Sequence, residues 1–229
     1  MKTAVLVIDV QQGLCEGEGK AFDCEGVISR INAVTHKARN SGVPVIFIQH
    51  ESSSGYLEYD TAAWQLAFGL ECEKTDIKIR KTTPDSFHLT ELVSLLKDKA
   101  VENIIVCGMH TEFCVDTTVR RALALGYSVI LVKDAHTSAG NAALSPQQVI
   151  DHHNLTLTNI SSFGPRVNNI TSEALILTEV STQPPYPGKP IAANGATPTQ
   201  DLCSQKANAA HAPTPMPTVS RVPPAVPGG

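Results

Sequence analysis

Along the first 180 positions apolar residues fall into two alternating rhythms. Short runs such as Ala4 to Ile8, Val45 to Ile48 and Ile104 to Cys107 are continuously apolar and mostly β-branched, which suits strands covered on both faces. Strands are expected over Thr3 to Asp9, Pro44 to His50, Asp76 to Lys81, Asn103 to Gly108, Ser128 to Lys133 and Glu173 to Glu179. Helical stretches with recognisable ends fill the gaps. Gly26 to Asn40 ends at Ser41-Gly42, Thr90 caps Glu91 to Lys99, Cys114 to Leu125 stops at Gly126, and Ser145-Pro146 opens a helix through Asn154, each with the capping chemistry its position asks for. Strand and helix alternating in this way predict an α/β fold, a three-layer doubly wound parallel sheet.

The rhythm fails near residue 181. Ser181 to Gly229 holds 11 of the 15 prolines and has almost no apolar periodicity, a composition that buries too little surface to offset ordering entropy. The expected organisation is therefore one domain over residues 1–180 and a Pro-rich, disordered tail over 181–229. Three basic residues against one acidic give the tail a charge of +2 and leave the domain at −6. That acidic excess argues against a nucleic-acid partner, because phosphate backbones demand clustered Lys and Arg. The apolar run after Met1-Lys2 stops at Asp9, and no run approaches the ~18 residues of a membrane span, so neither a membrane nor export is expected. Six cysteines without a CxxC pair fit neither a small disulfide scaffold nor structural zinc; they fit a reducing, cytoplasmic compartment.

Doubly wound sheets bind ligands beyond the carboxyl ends of their strands. Three polar residues fall there: Asp9 after the first strand, Lys81 after the third, and Cys114 just past the fourth, at a helix start. Singly, each has an ordinary reading, as a turn former, a solvated charge and a small core residue. Together they make a nucleophile. A helix start and an ammonium favour thiolate, and a carboxylate can take the thiol proton and return it to a leaving amine. Backbone N–H groups of the Gly108 to Cys114 loop are candidates for stabilising an oxyanion. A phosphate-accepting receiver module also places Asp and Lys at strand ends, but it has no use for the thiol, and Gln11-Gln12 lacks the acidic cluster it requires. The segment around Gly17-Glu18-Gly19-Lys20 misses the spacing of phosphate-binding loops.

The segments VLVIDVQQG at Val5 to Gly13, KTTPDSF at Lys81 to Phe87 and VCGMHTEFCVDTTVRRALALGYSVILVKDAHTS at Val106 to Ser138 resemble the isochorismatase-like cysteine hydrolases. That family includes nicotinamidases, carbamoylsarcosine amidohydrolase and ureidoacrylate, biuret and streptothricin hydrolases. The resemblance covers residues 3 to about 180. It implies Asp9 as acid/base, Lys81 as activating cation and Cys114 as nucleophile. It also implies a cis peptide at Met109-His110, an oxyanion hole from the His110 and Cys114 N–H groups, and assembly as a homo-oligomer. The Asp-x-His metal motif of nicotinamidases is replaced by Gln49-His50-Glu51, so no metal and no other cofactor is expected. Gln12 and Gln49 are candidates to orient an amide or urea, and Trp64 and Phe87 to wall the pocket. The expected reaction is hydrolysis of a C–N bond of a small molecule, amide, ureido, carbamoyl or lactam. The alternatives are nicotinamidase-like or isochorismatase-like hydrolysis, or an inactive binding or scaffold protein.

Overall fold

The computed structural model describes residues 2–177. Six strands, β1 (Thr3–Ile8), β2 (Val45–His50), β3 (Ile77–Lys81), β4 (Asn103–Met109), β5 (Ser128–Thr137) and β6 (Val167–Ile170), form one sheet in the order β3-β2-β1-β4-β5-β6. Every neighbouring pair is parallel. The helices are α1 (Gln12–Cys15), α2 (Cys24–Asn40), α3 (Leu92–Asp98), α4 (Asp116–Ala124) and α5 (Pro146–Thr158), and a single π-helical turn spans Thr111–Val115. Among the described residues no helix is long and apolar enough to cross a membrane.

Alternation along β1 divides the core in two. Val5 and Val7 pack with Val27, Ile31, Val34 and Ala38 of α2 on one face. Ala4, Leu6 and Ile8 pack with Leu92 and Leu96 of α3, Val119 and Ala122 of α4 and Leu157 of α5 on the other. Both faces of the central strands are thus dry, which is why their sequences are continuously apolar. Chain order reverses between β1 and β4, and a crevice opens at the carboxyl ends of strands at such a switch point.

Three sequence expectations need correction. The sixth strand is Val167–Ile170, paired with Val129 to Val132 of β5, and the described part of the expected strand, residues 173–177, forms none. The Lys37 ammonium collects the carbonyls of Ser172, Glu173 and Leu175, and Asp134 accepts from the Ser172 N–H and hydroxyl. Those groups are spent on the flank of α2 and the end of β5, so no ladder forms there. The helix expected from Cys114 is preceded by the π-helical turn and begins at Asp116. The helix after Pro146 runs on to Thr158, its start fixed by a Ser145–Gln148 capping box. The remainder of the expected last strand, from residue 178, and the Pro-rich tail lie outside the described residues.

Candidate active site

The site is assembled by a contact only glycine permits. Gly108 of β4 pairs with Ile8 of β1 at a φ of 124°. A Cβ at that position would sit 2.0 Å from the Ile8 carbonyl oxygen, so any other residue would force the two strand ends apart. Their close approach sets Asp9 beside the turn that carries Cys114. Asp9 itself takes a left-handed conformation, φ 52°, one that Asp tolerates better than most residues.

Lys81, at the end of β3, reaches across β2 to the same point. Its Nζ lies 2.6 Å from Asp9 Oδ2, 3.2 Å from Cys114 Sγ, 3.1 Å from His50 Nδ1 and 3.1 Å from the Thr83 carbonyl. The Lys81 and Asp9 side chains are 0% and 1% exposed. A buried ion pair of this kind is costly wherever its remaining hydrogen-bonding capacity is left unfilled; the ammonium's is filled. The carboxylate's is not, because Asp9 Oδ1 is buried without a partner.

Burial sets the protonation of the surrounding groups. The Cys114 thiol is pushed up to about 12, chiefly by burial and next by the Asp9 carboxylate, against the opposing pull of Lys81. Lys81 and the helix start favour thiolate, and burial works against both. His50 is held below its usual value, first by burial and then by Lys81. Its Nδ1 is therefore an acceptor for the ammonium. His110 is also lowered by burial, with Glu112 and Asp9 opposing, and its Nε2 has no partner.

Asp9, His50 and Cys114 each bring one ligand-type atom within 4.8 Å of the others, a grouping capable of holding a metal ion. The Lys81 ammonium fills their point of convergence, at hydrogen-bond distance from all three. A metal would have to displace a buried cation, so these residues do not fit one.

Of the sequence candidates, Asp9, Lys81 and Cys114 come together, and Met109-His110 is a cis peptide. The His110 carbonyl accepts from the Phe113 and Val115 N–H groups, which closes the turn around Cys114. Gln49 and Trp64 line a cleft of about 570 Å³ that includes Lys81, Tyr59 and Arg80. Gln49 Nε2 donates to the Trp64 carbonyl, while the Trp64 indole N–H is buried and unpartnered. Tyr59 packs edge-on against Trp64 and lies under the Arg80 guanidinium. A hollow of about 610 Å³ at the opposite end of the strands, among Lys2, Val45 and Val101, is remote from this chemistry.

Two candidates are placed otherwise. Phe87 is 5% exposed and stacks on Tyr127 within the apolar layer. Gln12 spends its amide on the Leu66 carbonyl. Its neighbour Gln11, which sequence reasoning passed over, is fully buried; it donates to the His50 and Trp64 carbonyls and accepts from the His50 N–H. Gln11 thereby ties the cleft wall to β2. A glutamine pair directly after a buried strand was the available signal, but not which member turns inward.

The Isochorismatase domain family model matches residues 3–163. The chain belongs to the isochorismatase family. Members of this family are hydrolases, and the isochorismatase-family chain described here is 34% identical over 136 residues to a streptothricin hydrolase of Streptomyces noursei, covering 59% of this chain and 49% of that protein. The chain thus spans about half the length of that relative. A ureidoacrylate amidohydrolase, RutB, of Caulobacter vibrioides is 26% identical over 175 residues, covering 60% of this chain and 78% of the relative. The crystal structure of a cysteine hydrolase from Pseudomonas syringae pv. phaseolicola superposes with a TM-score of 0.65 at 26% identity, covering 75% and 89% of the two chains.

Proposed function

We propose that this isochorismatase-family protein is a cysteine amidohydrolase that cleaves a C–N bond of a small molecule through a covalent intermediate on Cys114. One observation carries the reading. Lys81 Nζ touches both Asp9 Oδ2 and Cys114 Sγ, while Asp9 Oδ1 stands buried with nothing to accept from. An unsatisfied buried carboxylate oxygen beside a protonated thiol is a base waiting for a proton.

In this reading Cys114 Sγ attacks the substrate carbonyl carbon as its proton passes to Asp9, and the carbonyl electron pair moves onto oxygen. The N–H groups of His110 and Cys114 stabilise that oxyanion. Collapse breaks the C–N bond, and Asp9 delivers its proton to the departing nitrogen. Water then adds to the acyl-enzyme, leaving its proton on Asp9. The C–S bond breaks, and Asp9 returns the proton to Cys114. Lys81 keeps Asp9 anionic between proton transfers and holds Sγ in line. The amidohydrolase and hydrolase names of the relatives support the bond class. The five described cysteines are free thiols, which supports work in a reducing compartment.

The test is a panel of ureido acids, N-carbamoyl compounds, primary amides and lactams, followed by amine or ammonia release and, for ring opening, by mass. At least one member should turn over with wild-type protein and lose at least ~1,000-fold in rate with Cys114→Ala, whose melting temperature stays near wild type. Turnover that survives in Cys114→Ala overturns the nucleophile assignment.

A further inference from the structure

We propose that Asn154, His136 and Thr111 form a positioning relay, buried at Thr111 and His136 and half-buried at Asn154, in which the Thr111 hydroxyl fixes the turn that presents Cys114 for attack. The inference rests on the reading of Cys114 as nucleophile. Thr111 opens the π-helical turn three positions before Cys114. His136 lies on β5, where an irregularity shifts the pairing from Val106–Leu131 to Gly108–His136 and so brings the imidazole opposite the glycine that builds the site. His136 Nδ1 is 2.8 Å from Thr111 Oγ1, and Nε2 is 3.1 Å from Asn154 Oδ1 on α5.

The direction of each hydrogen bond follows from the far end. Asn154 Nδ2 donates to the Lys133 carbonyl, so its Oδ1 faces His136 as an acceptor. His136 Nε2 must then carry the proton, which leaves Nδ1 as the acceptor in a neutral ring. The Thr111 hydroxyl is therefore the donor to Nδ1. Thr111 is fully buried and His136 is 1% exposed, so water cannot substitute for either partner. Burial holds His136 down to about 4, in agreement with a ring that stays neutral at physiological pH. The relay thus ties the nucleophile turn to α5, on the side away from Lys81. Lys81 fixes the sulfur and Thr111 the backbone it hangs from.

Deleting the hydroxyl leaves a buried imidazole nitrogen unpaired and frees the first residue of the turn. The decisive pair is Thr111→Val, which keeps the shape and loses the donor, and Thr111→Ser, which keeps the donor. The primary readout is the rate of Cys114 alkylation by iodoacetamide in the full chain, assigned by peptide mass mapping; kcat and KM follow on the substrate found in the panel. Thr111→Val should change Cys114 alkylation at least ~5-fold and lower kcat about 10- to 100-fold with KM nearly unchanged, as small misplacements of a reacting group do. Thr111→Ser should return both to within about 3-fold of wild type. The relay is overturned if Thr111→Val loses melting temperature while alkylation and kcat stay within about 2-fold, or if Thr111→Ser is as poor as Thr111→Val. If Thr111→Val does not fold, Asn154→Ala, which cuts the far link, should show the same split, and an unchanged alkylation rate there overturns the proposal. Survival of turnover in Cys114→Ala marks failure of the nucleophile reading; a dead Cys114→Ala with an indifferent Thr111→Val marks failure of the relay alone.

Discussion

The cluster around Lys81 and the cluster around His136 both reach the Cys114 turn, yet they are satisfied to different degrees. Around Lys81 a charged pair, a thiol and an imidazole converge, and Asp9 Oδ1 and His110 Nε2 are left without partners. In the Thr111–His136–Asn154 chain itself no member is charged, and both ring nitrogens are engaged. Leaving a buried polar atom unpaired costs about 1–3 kcal/mol, so the fold bears a penalty on one side and none on the other. The penalty falls where a substrate would supply the missing partner. The satisfied cluster has nothing left to offer a ligand and acts through geometry.

The contrast is broken most forcefully at Lys81. Lys81→Met should abolish turnover and also destabilise the protein by about 3–5 kcal/mol, the usual result of stranding one member of a buried ion pair. Chemical denaturation at neutral pH measures the loss. Asp9→Asn should be equally inactive and lose less stability, since the amide still accepts from the ammonium and only the charge attraction goes. Equal stability of Lys81→Met and wild type would show that the pair is not buried as described.

Acid sharpens the contrast from the other side. His136 is held at about 4 by burial, with His153 on α5 opposing protonation and Asp134 favouring it; His50 and His110 are lowered as well. All three bind fewer protons in the folded chain than in the unfolded chain, whose histidines titrate near 6.5. Stability from these groups is whole above that pH and is lost as pH falls towards about 4, on the order of 3 kcal/mol for His136. Denaturation midpoints between pH 7.5 and 4.5 should trace this fall, and His136→Gln should flatten it. A His136→Gln protein with an undiminished acid slope would assign the loss elsewhere.

How much of this was legible depended on range. The dry strands β1, β2 and β4 were read correctly because burial on both faces writes itself into local sequence, and the polar residues at or just past the ends of β1, β3 and β4 marked Asp9, Lys81 and Cys114. Features set by contacts distant in the chain were missed. The π-helical turn at Thr111–Val115 follows the Gly108–Ile8 contact, and no local periodicity encodes either. Strand β6 is four residues with two exposed asparagines, whereas the apolar residues after Glu173 look more like a strand and are drawn off by Lys37. Phe87 was taken for a pocket wall because it follows the lysine motif, but the chain turns it towards Tyr127. His136 left no sequence signal at all, since its partners lie 25 residues before it and 18 after it.

The smallest expected effect is none, and it separates an ammonium from a metal at the same spot. Three ligand-type groups surround Lys81 Nζ, and a metal bound there would compete with a cation already tied to the chain and already neutralising Asp9. Transferring Asp9 and Cys114 from ammonium to metal would also require the thiol to ionise, against burial that pushes it up to about 12. Prolonged treatment with a strong chelator should therefore leave turnover within about 2-fold of the untreated protein, and added zinc should not raise it. Loss of activity on chelation with recovery on zinc would mean that Lys81 moves aside in the working enzyme, and the charged cluster would then have to be redrawn around a metal.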